Sequence, residues 1–280
     1  MRFVYPQGKI KALTFSYDDG RVYDRRLVSV FNEYGLKGTF HLNSAHLSQE
    51  RPENSGTGAD ALQKEDGHVT VAEVSELYKD HEVACHGLEH RNPTGLSPVQ
   101  MSLEILEDRR NLEKMTGRLV QGLSYAYGNY TEETKQIIRA NGIKYSRTVR
   151  STGSLWAPAD FLEWHPTCHH NDARLFELAD RFLGLRENWE LGLMYVWGHS
   201  YEFDRDDNWE RIEKLAQTLA FKENVWYATN LEICTYLTAV RAQEFSADGT
   251  VMHNPTAVTI WVRTGSGVLS VQPGECVTLA

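Results

Sequence analysis

Long apolar runs are missing from this chain of 280 residues: no stretch approaches the roughly 18 apolar residues that cross a bilayer. The opening Met1-Arg2-Phe3-Val4-Tyr5-Pro6 enters a strand-like segment almost at once and has no basic, apolar and small-residue regions of a secretory leader. The expected location is therefore cytoplasmic, with no membrane partner. Cysteine is scarce, and Cys85, Cys168, Cys234 and Cys276 form no CxxC pair, which argues against a disulfide framework or a cysteine-rich zinc site. Cationic excess is missing too: 29 Lys and Arg face 38 Asp and Glu, a formal net charge of -9, which speaks against nucleic acid as a partner. No internal repeat or low-complexity tract is present. What is there is an ordinary globular composition, 41% hydrophobic and 24% charged, long enough for one large domain or two smaller ones.

Short apolar runs alternate with segments of helical period, the sign of an α/β architecture. Residues 10–15 read as a strand, 24–34 as a helix stopped by Gly35, and 38–42 as the next strand. Residues 44–66, with Pro52, Gly56 and Gly58, form a polar stretch too long for a simple connection. Thr70 with Glu73 has the capping-box spacing for a helix over 70–78, and 82–85 read as a strand. Ser97 and Pro98 open the clearest helix, 97–116, with Met101, Ile105, Leu106 and Leu112 as its apolar stripe. Strands at 120–125, 145–149, 191–197 and 225–228 and helices at 132–140 and 209–219 continue the alternation. After Tyr236 the texture changes to short β-rich runs at 250–252, 257–263, 267–271 and 276–279. The chain is thus expected to divide into a barrel-like domain over 1–236 and a small β appendage over 237–280. Repeated βα units can close into a barrel whose site lies at the C-terminal ends of the strands.

Three chemical elements each follow a predicted strand. Asp18-Asp19-Gly20 places like charges side by side, which demands a cation or a shared proton if buried. His86 and His90 stand four residues apart, a spacing that lets two imidazoles converge on one ion. His199 lies in Trp197-Gly198-His199-Ser200. Cys85, beside His86, has the position of a ligand or nucleophile, but the general burial of cysteine predicts that it packs inward.

These elements resemble the NodB-type polysaccharide deacetylases, carbohydrate esterase family four. Thr14-Phe15-Ser16-Tyr17-Asp18-Asp19-Gly20 matches the first motif, His86 and His90 the second, and Leu193-Met194-Tyr195-Val196-Trp197-Gly198-His199 the late Leu-x-x-His type motif. Order and spacing agree over about residues 10–235. The resemblance implies a distorted (β/α) barrel of about seven strands and one divalent metal held by Asp19, His86 and His90. Zn2+ comes first for such a set, with Co2+, Ni2+ and Fe2+ also suited. It further implies Asp18 as general base, His199 as general acid, and an oxyanion donor near Tyr127 and Gly128. The expected partner is a carbohydrate substrate, and no oligomeric state is read from the chain.

The third motif departs from the family. Ser124-Tyr125-Ala126-Tyr127-Gly128 keeps Tyr-Gly but lacks the arginine that orients the base; Arg147 or Arg150, near the end of the next predicted strand, is a candidate replacement. The fourth motif has only a loose echo in Asp160-Phe161-Leu162-Glu163-Trp164. The polar run 164–172, with His165, His169 and His170, reads as a solvent-facing loop, with a second metal site or a cleft wall as the alternative. Trp197 and Tyr201 flank His199 as sugar-stacking candidates, Trp197 equally as core. The expected reaction is metal-dependent removal of N-acetyl groups from a poly- or oligosaccharide. Hydrolysis of a non-sugar C–N bond, in a cyclic imide or ureide, and a non-catalytic carbohydrate-binding role stand as alternatives.

Overall fold

A computed structural model describes residues 1–49 and 67–279, so Pro52, Gly56 and Gly58 of the expected long loop lie outside the described residues. The elements in chain order are β1 (Arg2–Val4), β2 (Lys11–Asp18), α1 (Asp24–Glu33), β3 (Gly38–Leu42), α2 (Val74–Leu77), β4 (Glu82–Cys85) and α3 (Pro98–Thr116). They continue with β5 (Gly122–Ser124), α4 (Glu132–Ala140), β6 (Tyr145–Arg147), β7 (Cys168–His169), α5 (Leu175–Gly184), β8 (Gly192–His199) and α6 (Tyr201–Arg205). Then come α7 (Trp209–Leu219), β9 (Val225–Tyr227), α8 (Asn230–Arg241), β10 (Glu244–Phe245), β11 (Val251–His253), β12 (Ile260–Thr264), β13 (Gly267–Val271) and β14 (Cys276–Thr278).

A curled parallel sheet in the order β6-β5-β4-β3-β2-β8-β7 carries the core. β2 is buried along its whole length, as suits a central strand covered on both faces. It pairs with β8 over residues 11–18 on one edge; on the other, residues 11–13 pair with β9 and residues 15–18 with β3. Residues 164–169 bond β6 at one end, Trp164 N to Ser146 O at 2.9 Å, and β8 at the other, Thr167 N to Tyr195 O at 2.8 Å. The sheet thereby curls round into the distorted (β/α) barrel that the βα alternation implies.

Polar groups inside this sheet are paired across strands. The fully buried Asn230, first residue of α8, accepts from Thr14 Oγ1 (2.8 Å) on β2, donates to Tyr195 Oη (2.6 Å) on β8, and gives its backbone N–H to Thr39 Oγ1 (3.0 Å) on β3. Thr229 and Glu232 form the capping box of α8, with the same Thr-x-x-Glu spacing as Thr70 and Glu73.

Several expectations need adjustment. Thr70 gives both its N–H and its hydroxyl to Glu73 (3.1 and 2.7 Å), but the helix is only Val74–Leu77; Glu73 also binds Arg25 of α1 (2.7 Å). Leu106, assigned to the apolar stripe of α3, is 39% exposed. The β-rich segment forms two three-stranded sheets, β1-β12-β13 and β10-β11-β14, the first of which takes its edge strand from the other end of the chain. α8 runs unbroken across residues 236 and 237. Its Tyr236 hydroxyl donates to Val4 O and accepts from Trp261 N, joining β1 to β12.

Glu82, at the start of β4, is buried and accepts from Thr39 Oγ1 (2.9 Å), Tyr145 Oη (2.7 Å) and Leu231 N (2.9 Å). Burial pushes its carboxyl from 4.5 up to about 7, against the opposing pull of these donors. The folded state then binds the proton more tightly than the unfolded one, so Glu82 lowers stability as pH rises from about 4.5 through about 7. Glu82→Gln is expected to flatten that slope; urea denaturation of both proteins at pH 5 and pH 8 measures it, and an unchanged slope refutes it.

Candidate metal centre and active site

The chemical residues collect at the C-terminal ends of the parallel strands. Asp18, last in β2, is in register with His41 of β3 on one side and His199 of β8 on the other, so all three stand at one level of the sheet. Neighbouring strand residues normally point to opposite faces. Asp19 has φ +78, which breaks that alternation. Both carboxylates therefore reach the same imidazole: His86 Nε2 is 3.6 Å from Asp18 Oδ2 and 3.5 Å from Asp19 Oδ1. His90 Nε2 lies 3.8 Å from Asp19 Oδ1 and 3.1 Å from His86 Nε2. The two histidines converge through a turn, with Gly87 at φ +84 and His90 at φ +53, and not along a helix.

Asp18 is 1% exposed, and Arg147, last in β6 and fully buried, pairs with it through Nη2. Burial alone would raise Asp18, but the Arg147 guanidinium, with His86 and His41, outweighs it and holds the carboxyl well below the usual carboxylate range. The Arg147 guanidinium also lies 4.2 Å from the ring centre of the buried Trp197, a cation–π contact that answers for Trp197 as part of the site's wall. Of the two arginines left open by the sequence, then, Arg147 meets Asp18. Arg150 is exposed.

The ligand set can be tested on its tautomers. His86 Nδ1 is 2.9 Å from the carbonyl of Ser124 and 2.7 Å from its Oγ, whose own proton goes to Asp18 Oδ1 at 3.3 Å. A carbonyl only accepts, so Nδ1 carries the proton and Nε2 turns a lone pair toward Asp19 and His90. That is the form a metal requires, and the donor set of two imidazoles and one carboxylate fits a divalent ion. A second cluster of similar composition, His169, His170 and Glu202, lies beside His199. There the tautomer is the opposite one: His169 Nδ1 accepts the Asn171 N–H at 3.1 Å, so Nε2 is protonated and faces Glu202 Oε2 at 3.0 Å as a donor. In this cluster His169 holds the Glu202 anion with a proton, while His170 Nε2, 3.2 Å from the same oxygen, makes no hydrogen bond to it. Glu202 Oε1 lies 3.5 Å from His199 Nδ1. Burial alone would raise Glu202, but His169 and His199 outweigh it and keep it ionised. Burial alone would likewise lower His199, yet Glu202, Asp18 and Asp19 hold its imidazole above the ordinary value.

The run 164–172 is thus no solvent-facing loop. His170 is fully buried, its ring stacked on Phe203 at 4.1 Å and on Tyr17 at 5.7 Å, with Gly198 leaving the room it occupies: a Cβ there would stand 2.0 Å from its Nδ1. Asp160 caps a short turn and binds Lys135 (3.0 Å), and Trp164 is buried, so the loose echo of the fourth motif is structural. Cys85 packs inward. Tyr127 has φ +58 and its ring stands 64% exposed beside His90 (4.6 Å between ring centres). Gly128, at φ +71, would drive a Cβ to 2.3 Å from Val149. Sequence reasoning missed His41 and Glu202, and it named Ser124 only as part of the altered third motif and His169 only within the polar run. Of the two that were missed, Glu202 left a trace, as an acid three residues after the motif histidine.

Among the described residues three cavities have similar volume. One of about 740 Å³ lies by the first residues of β4, lined by Trp226, Tyr236 and Trp261, and one of about 670 Å³ lies between Gln121, Phe161 and Ala242. The third, about 790 Å³, is lined by His90, Arg91, Asn92, Tyr127 and Asn129. Volume does not separate them; of the three, the last alone is lined by a residue of the Asp19, His86 and His90 cluster.

Fold and site together define a distorted (β/α) barrel whose strand ends gather Asp18, Asp19 and His199 with a two-histidine, one-carboxylate cluster that could hold a metal ion. Residues 5–146 match the sequence model of the polysaccharide deacetylase family, and the chain belongs to that family. Among solved structures, a Mycobacterium smegmatis protein assigned as a polysaccharide deacetylase shares the fold at TM-score 0.58 and 14% identity, covering 86% of this chain and 95% of its own. A family 4 carbohydrate esterase from Streptomyces lividans, in complex with acetate, aligns at TM-score 0.47 and 16% identity over 78% of this chain and 90% of its own. The Streptococcus pyogenes deacetylase PplD, also in complex with acetate, aligns at 0.45 and 16% identity over 54% of this chain, which spans 61% of that structure. At these scores the last two add nothing to the fold assignment. No curated protein matches the chain.

Breaking a buried ion pair by removing one partner leaves an unpaired charge, at a cost of about 3–5 kcal/mol. Arg147→Met is expected to lose that much stability in urea at pH 7, whereas Arg150→Ala stays within about 0.5 kcal/mol of the parent. Equal losses in the two variants would contradict the pairing.

Proposed function

We propose that this chain is a metal-dependent hydrolase that removes N-acetyl groups from a poly- or oligosaccharide. The support is the convergence of Asp19, His86 and His90, with His86 fixed in its ligating tautomer, between an ionised buried Asp18 and His199. A divalent ion held there, Zn2+ first, supplies polarisation of the acetyl carbonyl and acidification of water. Every other part of the reaction belongs to side chains. Asp18, steadied by Arg147, takes the proton of the attacking water at Oδ2, the oxygen nearest His86 Nε2. His199, whose Nδ1 lies 3.5 Å from Glu202 Oε1, gives its Nε2 proton to the leaving sugar nitrogen, a poor leaving group until protonated. Glu202 keeps that imidazole oriented and charged, a division of labour akin to any carboxylate–histidine pair. Gly128 donates its N–H to Tyr125 O at 2.8 Å, so the oxyanion role falls to the Tyr127 amide.

The groove beside His90 favours a sugar chain over a small cyclic imide. It is open and polar, and the exposed Tyr127 ring offers a flat face to a pyranose.

Acetate release from chito-oligosaccharides is expected to stop on chelation and return with Zn2+. Asp18→Asn is expected to keep its zinc, measured by elemental analysis, while turnover falls about 10²–10⁴-fold. Ring opening of cyclic imides without any acetate release would replace this function with the non-sugar alternative, and saccharide binding without turnover at full metal loading would replace it with a binding role. Glu202→Gln removes the charge that holds the His199 proton, so the alkaline limb of kcat should move to lower pH. A limb that stays in place counts against Glu202 as the tuning group.

A further inference from the structure

Two buried carboxylates on α3 take no part in this chemistry. Glu104 and Asp108 are 6% and 0% exposed and, with Asn111, fall at i, i+4 and i+7, one stripe of the helix. An amphipathic helix places apolar residues on its inward face, and buried acids persist there only when their oxygens are bonded. These are bonded to backbone amides of the loops that carry the site. Asp108 accepts Ser44 N at Oδ1 (2.9 Å) and, at Oδ2 (3.2 Å), shares the His86 N–H with the Leu42 carbonyl (3.0 Å). Glu104 accepts Glu89 N at Oε2 (3.1 Å), and its backbone carbonyl accepts Leu88 N (3.2 Å). From the opposite side Asn43 donates Nδ2 to the carbonyls of His86 (2.8 Å) and Gly87 (2.7 Å). Residues 86–89 are therefore held at every step, and the loop needs it, because His90 sits at φ +53, a region that L side chains disfavour.

We infer that Glu104 and Asp108 are positioning residues for the metal loop, holding His86 and His90 with their Nε2 atoms 3.1 Å apart and so setting metal affinity. The inference rests on Asp19, His86 and His90 being the ligands. Groups that orient metal ligands change affinity by about 10–100-fold when removed, whereas a helix that merely packs would change stability alone.

The test is Zn2+ titration of the metal-stripped full chain against a chromogenic chelator, with melting of the metal-free proteins in parallel. Glu104→Ala is expected to bind Zn2+ about 10–100-fold more weakly. Glu104→Gln, whose amide oxygen still accepts the Glu89 N–H, should recover most of that affinity. Asp108→Asn, which turns an NH2 toward one of its two amide partners, should fall between them and serves as the second probe if Glu104→Ala does not fold. Wild-type affinity in Glu104→Ala, or in Asp108→Asn if only that variant folds, with nothing but a lower melting temperature, overturns the inference. His90→Ala is the control: if it binds Zn2+ as tightly as wild type, the ligand assignment fails, not the clamp.

Discussion

Taking a carboxylate out of water costs several kcal/mol even after the protein relaxes around it, and Asp18 is almost entirely out of water. Arg147 answers that cost from across the curl of the sheet, with β6 and β2 meeting only because the strands between them bend round. His41, Ser124 and His86 crowd the same carboxylate, Ser124 Oγ at 3.3 Å and His41 Nδ1 at 3.3 Å. These partners favour the ionised form, so the site is built round an anion. That anion in turn favours positive charge at His199 and a cation beside Asp19.

Hydrogen bonds to the far nitrogen of each imidazole decide what its near nitrogen can do. His86 and His169 both stand near a carboxylate and another histidine, and by composition their clusters are alike. The Ser124 carbonyl forces a proton onto His86 Nδ1 and frees Nε2 to ligate; the Asn171 N–H forces the proton of His169 onto Nε2. One cluster suits a metal and the other steadies Glu202 behind His199. Neither difference resides in the histidines.

Much of the fold was legible. The strands at 38–42 and 82–85 and the helices at 132–140 and 209–219 appear with the bounds that periodicity and caps predict, because those signals are local. α5 was missed although Leu175, Leu178, Ala179 and Phe182 carry a helical stripe, since the histidine-rich run before it drew the reading toward a loop. The capping pattern of Thr70 and Glu73 is present, and its helix is only Val74–Leu77. At the site, Asp18, Asp19, His86, His90 and His199 were legible as residue types at motif spacing. Arg147 was one of two candidates, and the buried acids Glu104 and Asp108 passed as part of an ordinary amphipathic helix.

The chain by itself determined the alternation of strands and helices, the placing of chemical residues just after strands, and the family, because these depend on short-range pattern and spacing. Tertiary structure decided which arginine meets Asp18, which histidine nitrogen carries a proton, and which carboxylate faces His199. Those outcomes depend on groups far apart in sequence, such as Asp18 with Arg147 and His86 with Ser124, whose pairing exists only once the sheet has curled and excluded water.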